Sequence, residues 1–588
     1  MKVIPSLVCG IGISILTGGN ALAQDIVCEP LGELTPFWRN SAGIGGMGGT
    51  LSKPHDFLAN GQGLELIPQY ACEKSDFNYI KRNYPKEATF ADHLSLVRIL
   101  GGIGKEGATE PTELTLLSEI VVRGKTGELE YRWDVLDAKL KPYIESGYAS
   151  NLTIVLDNTP WCLPEKGTSE GGTMGQSTPA GNVDEWYNFI KAFTERVVKN
   201  VGEDNANHLR FRYGTEMNGT ERFSGTEEEY IERYDAAAAA VQVVIPSAEF
   251  GAFNFSGAGL SQLKGGKYNV NIDVIGEHSA KRRNHYSERS LKTPFAWVAF
   301  SRYFSPGIDI EERAKGCRDI WEYMDEVCSS MPEISREIHE FGVAPWGDEV
   351  GAKMRTAEAG AYGAAMTALM NIWLWDAGID RLWHWSMLEQ FRVAGGRKES
   401  LFLGHAWFYS VMEYMRGGES YLLHPTSKSK NGTKNIGLMS VKRKEKVAYI
   451  MLVSSNPDTE EDSTESVQFE IPTRFLNFYQ KKMSYTVFNK ATASYDQMRR
   501  DLLEVGLLQE RFVDRPDRCG DIREMAINSA GRRLIGDQIE TYQTMWQQSL
   551  TLKPIKESGI SGTMVSDRIE ITLPMTTPSI FVLKVELE

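Results

Sequence analysis

FRYGTEMNG, residues Phe211 to Gly219, is the stretch from which the fold of this chain can be predicted. Its aromatic first residues follow Leu209 and are typical of a buried strand, and the two glycines mark a loop. The pattern predicts a strand with Glu216 just beyond its carboxyl end. In a (β/α)8 barrel, functional groups lie at that end of the strands. The alternative is an ordinary strand end whose glutamate caps the next helix.

Strand and helix patterns alternate about eight times over roughly 380 residues around this stretch. Among the predicted strands are residues 94–102 (LSLVRILGG), 152–158 (LTIVLDN), 271–278 (NIDVIGEH), 334–341 and 379–387 (IDRLWHWSM). Alternation of this kind favours a parallel sheet, and eight units of this length favour a closed (β/α)8 barrel. We therefore predict an α/β fold with a barrel over residues 24–416.

The pattern changes after about residue 417. Alternating, β-branched strands without crossover helices predict a β-sandwich domain over residues 417–588, with a helical insertion near 495–548. A chain of 588 residues is too long for a single core, which agrees with two domains.

The amino terminus has the pattern of a secretory signal peptide. Lys2 is followed by an apolar run and by Ala21-Leu22-Ala23, which predicts cleavage near Ala23, so that residues 1–23 are removed. No later stretch is typical of a membrane span. We expect an exported protein, either secreted or periplasmic. Its formal net charge of −14 argues against a nucleic-acid partner.

Seven cysteines occur, and six remain without Cys9 of the predicted signal peptide. An even number in an exported protein permits disulfides, and we favour Cys317 with Cys328, which flank one predicted helix. Buried free thiols are the alternative. The cysteines and histidines show no spacing that is typical of a metal site.

A second carboxylate gives Glu216 a chemical partner. EIHEFGV, from Glu337 to Val343, places Glu340 in the seventh predicted strand, which faces the fourth across a barrel. Two carboxylates about 5–5.5 Å apart are what a retaining glycoside hydrolase needs. One attacks the anomeric carbon, and the other protonates the leaving oxygen. This chemistry requires neither a metal nor an organic cofactor.

The chain resembles clan A of the glycoside hydrolases, and most of all family 39, the β-xylosidases and α-L-iduronidases. The motifs that carry this resemblance are WYNFIKAFTERVVKN followed by LRFRYGTEMNG, then IDVIGEHS, IHEFG and LWHWSMLEQ. The resemblance implies that Glu216 is the acid/base and Glu340 the nucleophile.

The resemblance also implies roles for three further residues. Arg98 would orient the nucleophile, His278 would lie in the sugar-binding site, and Trp385 would form the platform beneath the sugar. An aromatic face at this position also suits the apolar C–H face of a sugar on chemical grounds.

One position departs from the pattern of the clan. Asn usually precedes the acid/base and binds the sugar 2-hydroxyl, but this chain has Thr215. Either the substrate differs at that position or another side chain, such as Asn158 or Asn254, supplies the contact. The departure is also compatible with an inactive homologue.

A basic segment bears on the substrate. HSAKRRNHYSERS contains Arg282, Arg283 and Tyr286, and after a sixth strand it would lie on the catalytic face. Arginine binds sulfate and carboxylate through two parallel hydrogen bonds. This favours an anionic sugar chain, either a sulfated galactan such as carrageenan or a uronic-acid polymer. The alternative for the segment is a solvated loop.

The sequence therefore predicts an exported retaining glycoside hydrolase that acts on a polysaccharide or its oligosaccharides. A neutral exo-β-xylosidase is the second prediction. A carbohydrate-binding pseudoenzyme, which keeps the barrel without turnover, is the alternative from another class.

Overall fold

A computed structural model describes most of the chain beyond residue 93, together with one amino-terminal segment. The described residues are 28–41, 94–95, 97–104, 106–145, 147, 149–172, 175–257, 259–287, 292–304, 309–343, 360–384, 390–392, 400–402, 404–426, 432–473, 483–509, 526–527, 529–555, 560–565 and 567–587.

Eight parallel strand positions in this described part form a closed ring. They are, as strands one to eight, Trp38–Ser41, the pair Leu94–Ser95 and Val97–Arg98, Thr153–Val155, Arg210–Tyr213, Glu249–Ala252, Trp297–Phe304, Ser335–Val343 and Arg381–His384. Each pairs in parallel with the next, and strand eight pairs with strand one. A parallel bridge between Phe255 and Phe300 joins strands five and six. This order of pairing is the one expected of a (β/α)8 barrel.

Helices alternate with these strands, which confirms the predicted α/β class. The helices of this part are Glu113–Leu116, Trp133–Glu145, Val183–Val201, Glu203–Ala206, Glu227–Val244, Leu260–Lys264, Ile272–Lys281, Ile310–Val327, Ala361–Asp376 and Gly404–Met415. Short antiparallel pairs lie between them, namely Val121–Arg123 with Leu129–Tyr131, Gly171–Gly172 with Gly175–Gln176, and Gln390–Arg392 with Ser400–Phe402. None of the described helices has the length and apolar character that crossing a bilayer requires.

The strand predicted over residues 271–278 is wrong, because Ile272–Lys281 is a helix. Ile272, Ile275 and Ser279 are buried. Their spacing of three and four is the helical period, which competes with the strand pattern in a short apolar segment.

The carboxyl-terminal part contains two antiparallel sheets. One has the strand order Cys28–Glu33, Glu419–Leu423, Lys434–Lys442, Val447–Ser455, Ser579–Glu586, Met483–Asn489 and Lys553–Pro554, and the other Ser463–Pro472, Arg568–Thr577 and Ser561–Val565. Buried apolar residues of both sheets form one cluster. Helices Ser494–Glu504 and Ser529–Ser549, and the short pair Leu508–Gln509 with Ala526–Ile527, lie between strands of this part.

One segment crosses the predicted domain boundary. Cys28–Glu33 falls within residues 24–416, yet it pairs antiparallel with Glu419–Leu423 at the edge of the larger second sheet. Assigning this segment to the barrel was therefore wrong. A six-residue strand carries no signal for the sheet that it joins, since pairing between distant segments depends on the tertiary fold.

The proposed disulfide is also wrong. Cys317 and Cys328 are free and buried, the first inside helix Ile310–Val327 and the second just beyond its end. Eleven residues along one helix span roughly 16 Å, far beyond the Cα separation of a disulfide.

A polar layer crosses the barrel interior near the amino ends of the strands. Arg210 of strand four donates from Nη2 to Glu337 Oε1 of strand seven at 2.7 Å. The Arg210 guanidinium also lies 4.3 Å from the ring centroid of Trp297 and 5.1 Å from that of Trp383. A charge buried in this way needs such partners, because an unpaired ion in the interior is costly.

A second polar layer lies one strand repeat further on. Arg212 Nη1 is 3.2 Å from His339 Nδ1, and His339 Nε2 is 2.7 Å from Glu337 Oε2. Arginine has only donors, so Nδ1 must accept, and the ring hydrogen lies on Nε2 and is donated to Glu337. Burial lowers the pKa of His339 to about 3. Burial opposes the charge on Glu337, but Arg210 and the His339 hydrogen bond hold the pKa of this carboxyl well below its usual range.

Gly251 in strand five tests the tight packing of this interior. A Cβ at Gly251 would lie 2.3 Å from Cε2 of Trp297, and the Arg210 guanidinium packs on the same ring, 4.3 Å from its centroid. We expect G251A to lower the free energy of unfolding by about 1–3 kcal/mol. The control is G316A, since Gly316 lies in helix Ile310–Val327 with no atom within 4 Å of the added Cβ. This change should raise the free energy of unfolding by roughly 0.5–1 kcal/mol. Denaturant unfolding measures both, and a G251A protein as stable as wild type would contradict the packing.

His339 should make stability depend on pH. An unfolded histidine takes up a proton near pH 6.5, but folded His339 takes one up only near its pKa of about 3. Between these two pH values the unfolded state therefore binds more protons than the folded state. The contribution of His339 to stability is lost as pH falls from about 6.5 towards 3, by up to about 1.4 kcal/mol per pH unit. H339Q lacks this contribution. The difference in unfolding free energy between wild type and H339Q should shrink between pH 7 and pH 5. H208Q, at an exposed histidine, controls for the loss of one histidine, and a constant difference would refute the assignment.

Candidate active site

Glu216 lies in a tight turn directly after strand four. Its φ is 52°, in the left-handed region that non-glycine residues rarely adopt, and it follows Gly214 with φ 84°. The Glu216 N–H donates to the Asn254 carbonyl at 3.2 Å, and its own carbonyl accepts from Gly219 N–H at 3.1 Å. Residues held in this conformation cluster at functional sites.

Arg222 is the charged neighbour of Glu216. Its Nη2 donates to Glu216 Oε2 at 3.1 Å, and each side chain is 16% exposed. The pair is thus reachable from solvent while most of its surface is covered.

Glu340 reaches the site through an irregularity of strand seven. Ile338 lies opposite Phe300 but Glu340 lies opposite Ser301, so the register shifts at His339. In a regular strand, Glu340 would face away from the side to which His339 points. A bulge re-aims side chains in this way, and bulges are common beside active sites. It explains how the buried His339 can point into the barrel beside a Glu340 that is 8% exposed.

Tyr303 holds the second carboxylate. Its hydroxyl, on strand six, donates to Glu340 Oε2 at 3.0 Å. Residues 271–278 were predicted to be the sixth strand, which is in fact Trp297–Phe304. The prediction therefore missed Tyr303. The aromatic run WVAFSRYF at 297–304 is the signal that could have found it.

Strands five and six connect the two carboxylates. Asn254 accepts from the Glu216 N–H with its carbonyl and donates from Nδ2 to Ser301 Oγ at 2.6 Å. Ser301 lies opposite Glu340 in the parallel register. Glu216 and Glu340 are therefore linked through strands five and six, and both lie on the rim at the carboxyl ends of the parallel strands.

Thr215 is fixed from below by Arg212. Arg212 Nη2 donates to Thr215 Oγ1 at 2.6 Å, and both side chains are buried. Because Oγ1 accepts this bond, the hydroxyl hydrogen must point elsewhere, and no acceptor for it occurs among the described residues. Thr215 therefore offers one donor beside Glu216.

Asn158 lies in the loop after strand three, where its Nδ2 donates to the Gln176 carbonyl at 3.4 Å. Buried Glu119 fixes this part of the rim by accepting from the N–H groups of Gly102 and Trp161, at 2.6 and 3.1 Å. Burial raises the pKa of Glu119, and burial lowers the pKa of Lys139, its charged partner. The loops after strands two and three are thereby held together.

His278 does not lie in the site. It belongs to helix Ile272–Lys281, and its Nε2 is 3.0 Å from Asp235 Oδ1 in helix Glu227–Val244. This contact joins two outer helices, so the predicted sugar-binding role of His278 has no support in the structure.

The basic segment is also misplaced by the prediction. Arg282 and Arg283 follow the end of helix Ile272–Lys281 and lead to the amino end of strand six, so they are not part of a strand-to-helix loop at the rim. Tyr286 stacks on Tyr187 of helix Val183–Val201, with ring centroids 6.2 Å apart. The segment packs on the outer helices, and its predicted place on the catalytic face is wrong.

Two predicted site residues cannot be placed. The backbone of Arg98 forms part of strand two, but its side chain lies outside the described part of the structure, as does the whole of Trp385. Among the side chains that are described, no three of His, Cys, Asp or Glu come together as a metal site would require.

Comparisons with known proteins agree on one enzyme class. No family model matches the chain. The α-1,4-L-rhamnosidase of Formosa agariphila is 24% identical over 320 residues, which make up 52% of this chain and 59% of that relative. The chain thus matches less than two thirds of the length of this relative.

Two solved structures share the fold over nearly the whole chain. A monomeric β-xylosidase from Caulobacter crescentus CB15 has a TM-score of 0.57 at 12% identity, covering 95% of this chain and 98% of that one. The GH39 enzyme from Xanthomonas axonopodis pv. citri has a TM-score of 0.54 at 11% identity, covering 95% of each chain. The chain therefore shares the fold of these two enzymes, and the proteins that it resembles are glycoside hydrolases.

Proposed function

We propose that this protein is an exported retaining glycoside hydrolase with Glu340 as nucleophile and Glu216 as acid/base. The observation that carries the proposal is the placement of these carboxylates on one rim, each with its own positioning partner. Export rests on the signal-peptide pattern of residues 1–23. The likeness to glycoside hydrolases in sequence and fold supports the class.

In the first step, Glu340 attacks the anomeric carbon while Glu216 gives a proton to the glycosidic oxygen. The bond from the anomeric carbon to the leaving sugar breaks, and an ester to Glu340 forms. The hydrogen bond from Tyr303 to Oε2 fixes the Glu340 carboxylate, because a donor on one oxygen limits rotation of the group.

In the second step, Glu216 takes a proton from water, and the water oxygen attacks the anomeric carbon. The ester breaks, Glu340 leaves as a carboxylate, and the sugar keeps its original anomeric configuration. The Thr215 hydroxyl, beside Glu216, can donate one hydrogen bond to a sugar oxygen during both steps.

The substrate class needs a new basis. Arg282 and Arg283, which favour an anionic sugar chain in the sequence, lie between helix Ile272–Lys281 and the amino end of strand six. Arg222, beside Glu216, is a cation within the site itself and supports the same substrate class. Activity and binding measurements distinguish an anionic substrate from the two alternatives, a neutral β-xyloside and a pseudoenzyme.

Replacing each carboxylate should give a different kinetic result. E340Q should reduce hydrolysis of aryl glycosides to background, since no ester can form. E216Q should lower kcat/KM by about 10²–10⁴ for a phenyl glycoside but much less for a dinitrophenyl glycoside, whose leaving group needs no proton. The assay uses a panel that includes aryl α-L-rhamnosides and β-D-xylosides, and proton NMR reads the first anomer released.

The matched control is E221Q, because Glu221 is exposed in the same turn as Glu216. It should change the rates by less than about threefold. An inverted first product would exclude Glu340 as nucleophile. If wild type cleaves no glycoside of the panel but binds sugars, the pseudoenzyme replaces the hydrolase.

Y303F tests the partner of Glu340. Loss of a hydrogen bond to a charged group costs about 1.5–3 kcal/mol, so kcat should fall roughly 10- to 100-fold. The control is Y323F, because Tyr323 donates to Asp273 Oδ2 at the same 3.0 Å in the outer helical layer. It should leave kcat within about twofold. Equal effects of the two changes would show that Tyr303 acts on stability alone.

A further inference from the structure

Arg222 belongs to a rigid turn that begins at the acid/base. Its N–H donates to the Gly219 carbonyl at 3.0 Å, and Gly219 N–H donates to the Glu216 carbonyl. The next residue, Phe223, is buried, and its carbonyl accepts from Asn269 Nδ2 at 2.7 Å. The main chain of Arg222 is therefore fixed relative to Glu216, and the guanidinium, which is 16% exposed, lies against that carboxylate.

The guanidinium of Arg222 uses only part of its capacity. An arginine carries five N–H donors, and Arg222 gives one, from Nη2, to Glu216 Oε2. Within the described ranges, no other acceptor contacts its guanidinium. Partial exposure leaves the remaining donors open to a ligand in the site.

This contact conflicts with one role of Glu216. A general acid needs an oxygen that carries a proton and can point it at the substrate. Oε2 accepts an Arg222 N–H, and this contact turns that oxygen towards Arg222 while the ion pair lasts. A substrate group that takes over Arg222 would release it.

We propose that Arg222 binds an anionic group of the leaving sugar, and that this contact releases Oε2 of Glu216 as the substrate arrives. The inference rests on the proposed role of Glu216. Arginine matches carboxylate and sulfate through two parallel hydrogen bonds, which the free donors of Arg222 can supply.

The position of Arg222 limits where the anion lies on the sugar. Glu216 protonates the glycosidic oxygen, and the Arg222 nitrogen is 3.1 Å from Glu216. The anion must therefore lie within a few bonds of that oxygen. A uronate linked through O4 has its carboxylate on the carbon next to the linkage carbon, and a sulfate ester on a neighbouring hydroxyl has equivalent reach.

Binding without turnover tests the inference. D-Glucuronate, D-galactose 6-sulfate, D-glucose, D-galactose and inorganic sulfate are titrated calorimetrically into the whole protein at low ionic strength. We expect wild type to bind at least one of the anionic sugars about tenfold or more tightly than its neutral counterpart. R222M should reduce this preference to less than about twofold, and R222K should retain part of it, because lysine keeps the charge without the fork.

The matched control is R282M, which removes the same charge from the outer helical layer and should keep the wild-type preference. No preference in wild type, or an unchanged preference in both Arg222 variants, would overturn the inference. Inorganic sulfate that binds as tightly as both anionic sugars would also overturn it, since the site would then bind any anion. If wild type hydrolyses aryl glycosides but does not prefer anionic sugars, only this inference fails. If anionic sugars bind more tightly through Arg222 but no glycoside is hydrolysed, only the hydrolase proposal fails.

Discussion

The contact between Arg212 and His339 is the interaction on which the site depends. It crosses the barrel from strand four to strand seven, the two strands that carry Glu216 and Glu340. Arg212 has only donors, so it fixes the ring hydrogen of His339 on Nε2, and the same guanidinium holds Thr215. Both residues are fully buried, so removing either partner would leave the other with an uncompensated polar group.

The residue before Glu216 belongs to this interior. Oγ1 of Thr215 closes a polar row that runs from Arg210 and Glu337 through His339 and Arg212. The bulge at His339 lets that ring and the Glu340 carboxylate share one side of strand seven. Thr215 is thus coupled to a layer of charge beneath it.

The sequence predicted strand four, strand seven and both carboxylates because each strand is a buried apolar segment with an acid in it or just beyond it. It failed at residues 271–278, where a ten-residue helix and a strand have similar apolar content, and this error carried His278 and Arg282 into the site. The bulge at His339 and the pairing of Cys28–Glu33 could not be predicted, because register depends on neighbours that are distant in sequence. Arg222 gave no signal, since a single arginine in a polar turn usually points to solvent.

Covalent trapping tests the central claim most directly. In E216Q, the second step lacks its base, so the ester to Glu340 should accumulate from a dinitrophenyl glycoside of a sugar that wild type cleaves. Mass spectrometry of the whole protein and of its peptides then locates the sugar. We expect one glycosyl unit per chain, on the peptide that contains Glu340. A sugar on another carboxylate, or turnover by E216Q without any covalent species, would contradict the assignment of Glu340 as the nucleophile.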